Sequence, residues 1–119
     1  LSRRKAEYLI GIAHEIKSGR LNLANLKSMS GDDVQKRLIE LRGIGTWTAD
    51  NFRLFALGDM DAWPASDLAL QEGMKRLKDL DERPSGKELF VLGNAWRPFR
   101  GAGALMLWHI YGILVRMHI

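Results

Sequence analysis

Apolar side chains recur at three- and four-residue spacing through most of the chain, a pattern typical of amphipathic helices. The first such segment is 3–18, and its apolar positions are Ala6, Leu9, Ile10, Ala13 and Ile16. No segment alternates convincingly with a period of two. The pattern therefore predicts an all-α fold of about six or seven helices.

Short polar residues mark where several of these helices begin. Ser30 and Ser85 each stand three residues before an acidic side chain, which is the spacing of a capping box. They predict helices that end near Glu40 and Trp96. Ser66 is suited to cap another helix, which starts at the residue that follows it.

Three other segments complete the predicted fold. The stretch "LNLANL" forms a short helix or a turn, and Thr46 or Thr48 opens a helix that ends before Gly58. Pro98 suits the first turn of the last helix, because proline lacks the N–H that would be unpaired there.

Composition narrows the class of protein without giving a function. With 119 residues, 46% of them hydrophobic, the chain can bury one core, so we expect a single helical domain over 1–119. The absence of cysteine excludes a disulfide framework and a cysteine-ligated iron–sulfur cluster. The formal charge of +4 fits a nucleic-acid partner, although many basic proteins bind none. The apolar-rich run 102–115 is shorter than the ~20 residues that span a bilayer, so no membrane partner is expected.

The stretch "LRGIGTWTADNF" places two glycines between two helical segments. A glycine inside a helix costs roughly 1 kcal/mol relative to alanine, so the pair needs a reason. At a tight turn before a helix N-terminus, Gly43, Gly45, Thr46 and Thr48 could form a nest of backbone N–H donors for one phosphate. The alternative is an ordinary helix–helix turn that happens to use two glycines.

The pattern "LxGIGxxTA", which runs from Leu41 to Ala49, resembles the helix-hairpin-helix motif of DNA-binding proteins. The resemblance implies a hairpin over 38–52 that holds the DNA backbone, with Arg42 beside it. It also implies a structural monovalent cation bound by backbone carbonyls, and by position these belong to Ile39, Leu41 and Ile44. No other cofactor is implied.

Downstream of the hairpin, the motifs "WPASDLAL" and "AWRPFRGAGALMLW" follow "GIGTWTADNF" in order. Together they resemble the helix-hairpin-helix DNA glycosylase superfamily, in its DNA-3-methyladenine glycosylase II branch. The resemblance covers nearly all of the chain and implies the C-terminal portion of the family's domain. Further helices normally precede this portion, so the missing N-terminal segment or another chain is an expected partner. Part of the apolar face of the last helix should then be exposed.

The resemblance assigns Asp67 as the catalytic carboxylate. Cleavage of an N-glycosidic bond develops positive charge on the sugar. A fixed carboxylate either stabilises this charge or orients the water that attacks the sugar. The alternative reading of Asp67 is a helix-capping or first-turn acid beside the helix dipole.

The resemblance also implies a base pocket walled by Trp47 and Trp108, with Asn51 where some relatives carry a tyrosine that faces the base. An alkylated purine is cationic and gains cation–π energy against an indole face. The alternative for Trp108 is one more core aromatic. Bifunctional relatives have a lysine nucleophile at the position of Trp47, so a monofunctional enzyme is predicted. Trp63 and Trp96 are interpreted as scaffold residues.

Four arginines lie close to these motifs. Arg42 and Arg53 flank the hairpin and are candidate phosphate ligands, with solvated surface arginine as the alternative. Arg97 and Arg100 either contact the DNA backbone or lock the last helix to the loop before Asp67. His14 and His109 have no partner at ligand or dyad spacing and are interpreted as ordinary helix residues.

These observations predict a base-excision-repair glycosylase that removes alkylated purines of the 3-methyladenine and 7-methylguanine type from double-stranded DNA and leaves an abasic site. The alternatives are a non-catalytic helix-hairpin-helix DNA-binding module and a glycosylase specific for other bases, such as uracil or mismatched thymine. The expected location is the cytoplasm, associated with the nucleoid, in a bacterium and the nucleus in a eukaryote.

Overall fold

The computed structural model describes residues 3–117, except for the side chains of four residues in the first helix (Arg4, Lys5, Tyr8 and Leu9). The described residues form seven α-helices and one 3₁₀ turn, without a strand. The helices are α1 (Arg3–Lys17), α2 (Leu23–Ser28), α3 (Gly31–Ile39), α4 (Thr46–Phe55), α5 (Leu68–Leu77), α6 (Gly86–Leu92) and α7 (Arg100–Arg116). The predicted all-α class and the number of helices are confirmed.

Side-chain caps start several of these helices where the sequence predicted. The Ser30 hydroxyl accepts a hydrogen bond from the amide of Asp33, and Ser85 forms a complete capping box with Glu88. Asn22 caps α2, which settles "LNLANL" as a short helix. Each cap pairs helix N–H groups that the helix itself leaves unbonded.

Three boundaries differ from the prediction. Ser66 is exposed and does not cap α5, because the next residue, Asp67, takes the N-cap position. The helix from Ser85 ends at Leu92 and continues to Trp96 as a 3₁₀ turn. Pro98 lies two residues before the start of α7 rather than in its first turn, and Phe99 is the N-cap.

Two clusters of buried apolar side chains support the two ends of the fold. One joins α1, α2, α3 and the hairpin through side chains such as Leu21, Leu38 and Ile44. The other joins α5, α6, α7 and the loop 56–67. Helix α4 belongs to both, since Ala49 packs in the first cluster and Leu54 in the second. Helix α4 therefore connects the two clusters.

Several apolar side chains of α7 remain exposed, among them Leu105, Met106 and Val115. Part of the apolar surface of the last helix is therefore exposed in this chain, as expected. Within residues 3–117 no helix is long and apolar enough to cross a bilayer.

Helices α5 and α7 approach closely at Gly73, where an added Cβ would lie 2.9 Å from the backbone oxygen of Leu107. Gly73→Ala should therefore destabilise the protein by roughly 1–3 kcal/mol, because the two helices must move apart. Gly11→Ala on α1 is the control: its Cβ would meet no atom within 4 Å, so it should stabilise by up to about 1 kcal/mol. Urea denaturation gives the free energy of unfolding of each variant. Equal changes in the two variants would contradict the close approach of α5 and α7.

Candidate active site

Asp67 ends a loop whose preceding residues are packed into the core. Ala62, Trp63, Pro64 and Ala65 are all buried, and the amide of Asp67 donates to the carbonyl of Pro64 at 3.0 Å. The Asp67 carboxylate then caps α5, because its Oδ2 accepts a hydrogen bond from the amide of Leu70 at 3.1 Å. The side chain is thus held at a helix N-terminus by a buried loop.

Two tryptophans donate their indole N–H groups to this carboxylate. Trp47 Nε1 lies 2.7 Å from Asp67 Oδ1, and Trp108 Nε1 lies 2.9 Å from Oδ2. With the bond from Leu70, both oxygens have a protein donor. A carboxylate has about four acceptor positions, so one or more remain for a further contact. The three residues predicted as catalytic carboxylate and pocket walls are brought together.

An additional aromatic ring lies beside Trp108. The ring of Phe55 stacks on Trp108 with centroids 5.5 Å apart and an angle of 25° between planes, and Phe55 is 65% exposed. The sequence reading missed this residue. Phe55 stands eight residues after Trp47 on α4, a spacing that places both on one face of the helix, and this was the available signal.

Asn51 lies between these two aromatic residues on the same face of α4. Its side-chain amide donates to the backbone carbonyl of Trp47 at 2.8 Å, and the residue is partly buried. One end of the carboxamide is therefore committed to its own helix.

The two predicted scaffold tryptophans lie in the core around α6 and α7. Trp63 is buried and donates to the carbonyl of Leu89 at 3.0 Å. Trp96 packs edge-on against Trp63 with ring centroids 5.6 Å apart. Neither donates to Asp67, in agreement with the scaffold interpretation.

Helices α3 and α4 form the hairpin, and its two glycines have different roles. Gly43 has a φ of +80°, which side-chain-bearing residues rarely adopt, so the turn itself requires glycine there. Gly45 is the N-cap of α4 with an ordinary φ of −93°, and an added Cβ would meet nothing within 4 Å. The space beside Gly45 is therefore open.

The backbone amides at the hairpin lie at the N-terminus of α4, where helix N–H groups have no partner within the helix. Among the described residues, none accepts a hydrogen bond from the predicted phosphate-binding amides, which belong to Gly43, Gly45, Thr46 and Thr48. Arg42 is exposed beside them. Of the three carbonyls predicted to bind a cation, that of Leu41 accepts from the amide of Ile44 at 3.1 Å. The carbonyl of Ile39 belongs to the last residue of α3, and that of Ile44 lies just before the N-cap of α4.

Similarity to known proteins covers nearly the whole chain. YfjP of Bacillus subtilis, a provisionally named DNA-3-methyladenine glycosylase, is 38% identical over 107 residues, which are 90% of this chain. A crystal structure of a Bacillus halodurans DNA-3-methyladenine glycosidase is 35% identical, covers 98% of the chain and has a TM-score of 0.79. The Schizosaccharomyces pombe 3-methyladenine DNA glycosylase Mag1, solved with abasic DNA, is 31% identical, covers 91% and has a TM-score of 0.80. No protein-family model matches.

The chain belongs to the helix-hairpin-helix DNA glycosylase superfamily. Within that superfamily it falls in the DNA-3-methyladenine glycosylase branch. The chain spans 37% of the length of YfjP, 54% of the Bacillus halodurans chain and 53% of the Mag1 chain.

Arg53 of this glycosylase-family chain is not available to DNA. It was a candidate phosphate ligand, but it is 5% exposed and pairs with Asp50 at 3.2 Å and with Asp59 at 2.9 Å. The prediction is wrong because Arg53 is on the side of α4 that faces the loop 56–67. Burial raises the pKa of Asp50 above its ordinary value of 3.8, against the lowering effect of hydrogen bonds from Gln35 and Arg53.

Arg100 locks α7 to the loop before Asp67, which was one of the two readings. Its guanidinium is buried and forms a bidentate pair with Asp61 at 2.8 and 2.9 Å. Hydrogen bonds from Arg100 lower the pKa of Asp61 below its ordinary value of 3.8. Arg97 is exposed, donates to Asn94 at 2.9 Å and lies 3.9 Å from Asp61.

The described residues contain no cluster of His, Asp and Glu side chains suited to a metal ion. His14 and His109 are both exposed on their helices.

Proposed function

We propose that the protein is a monofunctional DNA N-glycosylase that excises alkylated purines of the 3-methyladenine and 7-methylguanine type and leaves an abasic site. One observation carries the proposal: the Asp67 carboxylate is fixed between the indole N–H groups of Trp47 and Trp108, beside a DNA-binding type of hairpin. The activities named for similar proteins agree with it.

Asp67 suits the chemistry of N-glycosidic cleavage. As the bond between base and C1′ of the sugar breaks, its electron pair leaves with the base, and positive charge develops on the sugar. An anionic carboxylate in a fixed position stabilises this charge without having to reorganise. It also orients the water whose oxygen bonds to C1′, and that water loses one proton to the solvent to complete the hydrolysis. An alkylated purine carries a positive charge beforehand, so it departs neutral.

The rings around Asp67 suit a cationic base. Each indole N–H lies in the plane of its ring, so Trp47 and Trp108 turn an edge toward Asp67. Phe55 covers one face of Trp108. A cationic base that stacks on an aromatic ring gains cation–π energy of about 0.5–2 kcal/mol per contact. Asn51 is a further lining group whose carboxamide oxygen can accept a hydrogen bond.

Trp47 determines the predicted outcome for the DNA strand. Strand cleavage by bifunctional relatives uses an amine that attacks the sugar and forms a Schiff base. An indole has no such nucleophile. The product is therefore an abasic site in an intact strand.

The hairpin is proposed to hold one DNA phosphate with the amides of Gly43, Gly45, Thr46 and Thr48, assisted by Arg42. Such a contact fixes the backbone and reads no sequence. The carbonyls of Ile39, Leu41 and Ile44 would bind a monovalent cation, whose charge would favour a phosphate at the hairpin. No other cofactor is required by the proposed reaction.

The proposed partner is double-stranded DNA that contains damaged bases. The resemblance between this chain and Mag1, which was solved with abasic DNA, supports DNA as the ligand. The corresponding location is the nucleoid-associated cytoplasm of a bacterium or the nucleus of a eukaryote.

The test is base release by the full protein from duplex DNA treated with a methylating agent. Chromatography identifies the released bases, and a denaturing gel before and after alkali shows whether the strand is intact. Release of methylpurines with alkali-dependent cleavage supports the proposal. Preferential release of uracil or mismatched thymine would replace it with another specificity. DNA binding without release from any of these substrates would leave a binding module only.

A charge placed at the hairpin tests the phosphate contact. Gly45→Asp should weaken DNA binding by roughly tenfold or more, because a carboxylate would face the phosphate and displace a charge-assisted contact. Gly45→Asn is the matched neutral control. Both side chains are good N-caps, so neither should lower the melting temperature. Fluorescence anisotropy at constant salt gives the dissociation constants, and equal values for the two variants would argue against a phosphate at this position.

A further inference from the structure

The loop that carries Asp67 is joined to α7 by a geometrically defined ion pair. Arg100 Nε lies 2.8 Å from Asp61 Oδ1, and Nη2 lies 2.9 Å from Oδ2. The Arg100 side chain is 5% exposed and that of Asp61 is 28% exposed. Two parallel hydrogen bonds between planar groups fix orientation as well as distance.

Asp61 also acts as the cap of α7. The helix receives no side-chain cap from Phe99, and Asp61 Oδ1 accepts from the backbone amide of Arg100 at 3.3 Å. The next amide, of Gly101, donates to the carbonyl of Met60 at 2.6 Å. The first turn of α7 is thus bonded to the loop by backbone and side chain.

The same helix reaches Asp67 at a second point. Trp108 stands eight residues after Arg100, about 12 Å along the helix axis, and donates to Asp67 Oδ2. Asp61 and Asp67 belong to one loop whose intervening residues are mostly buried. Contacts at both Asp61 and Asp67 define where α7 lies along the loop and how it is rotated about its axis.

On the opposite side, Arg53 joins the loop to α4 through Asp59. Helix α4 carries Trp47, the second donor to Asp67. The loop is therefore tied by one ion pair to each of the two helices that supply an indole to the carboxylate.

We propose that Arg100 and Asp61 are a positioning pair for base excision: their bidentate contact sets the register of α7 so that the Trp108 N–H meets Asp67. This inference rests on the proposed glycosylase function. Neither residue touches the reacting atoms. The pair acts through Trp108, whose bond limits the directions that the carboxylate can take toward the sugar.

The effect of the Arg100–Asp61 pair on the position of α7 can be separated from its effect on the stability of the fold. Partly buried ion pairs often add little net stability over other residues of similar size. Lysine at position 100 would keep the charge but replace the planar fork by a single ammonium group, which cannot fix orientation. The helix should then remain attached to the loop while its register becomes less defined.

The experiment compares Arg100→Lys and Asp61→Asn with the unchanged full protein. Asp61→Asn is the second variant because it keeps a capping oxygen for α7 while it removes the charge. Single-turnover rates on methylated duplex DNA should fall roughly 10- to 100-fold, with an unchanged DNA dissociation constant. In NMR spectra, the indole N–H resonance of Trp108, assigned with Trp108→Phe, should move toward its position in Asp67→Asn.

Arg83→Lys is the control, since the exposed pair of Arg83 with Glu72 includes none of the four residues that make these contacts. It should change neither the rate nor the Trp108 resonance. An unmoved resonance in both Arg100→Lys and Asp61→Asn would overturn the inference, whatever the rate. If the unchanged protein releases no base, the proposed function fails, and the resonance alone then decides whether the pair positions Trp108 against Asp67.

Discussion

Replacing Asp67 with asparagine is expected to lower methylpurine release by roughly a thousandfold or more while the protein stays folded and bound to DNA. The change removes the negative charge that the proposed transition state requires. It also turns one carboxylate oxygen into an N–H₂ group. Because both oxygens now accept from indole N–H groups, that amide must face a donor, either Trp47 or Trp108. Single-turnover base release measures the effect.

Asparagine is the right substitution because Asp67 has two roles. The carboxylate also caps α5 through Leu70, and asparagine caps helices about as well as aspartate. Asp67→Ala would remove the cap as well and cost about 1 kcal/mol, so its loss of activity would mix chemistry with folding. Comparing thermal unfolding of the two variants separates these contributions.

An active Asp67→Asn enzyme would contradict the assignment. If it released methylpurines at even a tenth of the original rate, Asp67 would be a helix cap and no more. If the variant lost both DNA binding and base release, Asp67 would instead support the DNA-binding surface. Neither result is expected from a carboxylate held by three donors in a fixed position.

Much of the fold was predictable because helix signals are local. Apolar spacing located the helices, and the side chains of Ser30 and Ser85 form their caps with residues three positions away. The hairpin glycines were likewise readable from their neighbours. The choice between Ser66 and Asp67 as the cap of α5 was not, since both residue types are good caps and tertiary packing of the loop decides between them.

The contacts within the candidate site could not be predicted from local sequence patterns. Cap and catalytic carboxylate were treated as alternatives for Asp67, yet one side chain can serve as both because it has two oxygens. Trp47 and Trp108 were read as ring faces, whereas their N–H groups meet Asp67 across 20 and 41 positions of sequence. The resemblance to the glycosylases named the residues, and it did not supply this contact.

Arg53 was misread for a similar reason. Arg53 and Arg42 look alike in sequence beside the hairpin, but one is buried and the other exposed. An arginine is buried only where carboxylates meet its donors, and the partners of Arg53 come from its own helix and from a separate loop. Arg100 finds Asp61 at a separation of 39 residues, which no local pattern encodes.

The largest expected effect on stability is that of Arg53→Met. Methionine fills the space of the arginine stem but leaves Asp50 buried and Asp59 without its ion-pair partner. Removing one member of a buried pair costs about 3–5 kcal/mol, which is a large part of the 5–15 kcal/mol that stabilises a typical domain. Urea denaturation at pH 7 measures the loss.

The loss should depend on pH in a defined direction. Burial already raises the pKa of Asp50 above 3.8, and the hydrogen bond and charge of Arg53 act to lower it. Without Arg53 the folded-state pKa of Asp50 rises further. A raised carboxyl pKa means that the folded state binds the proton more tightly, so stability falls as pH rises from the unfolded value through the folded one. Arg53→Met should therefore be most damaging at neutral pH and less so toward pH 4.

Two further variants separate the buried charge from lost packing. Asp50→Asn removes the charge and keeps an oxygen for Gln35, so the double variant should regain about 2 kcal/mol and lose most of the pH dependence. Arg83→Met is the exposed control: its pair with Glu72 has the same 3.2 Å separation, and its loss should cost under about 1 kcal/mol. A similar loss of unfolding free energy for Arg53→Met and Arg83→Met would mean that burial of the Arg53 ion pair does not increase its effect on stability. A double variant no more stable than Arg53→Met would show that the arginine stem, rather than its charge, supports the junction between α4 and the Asp67 loop.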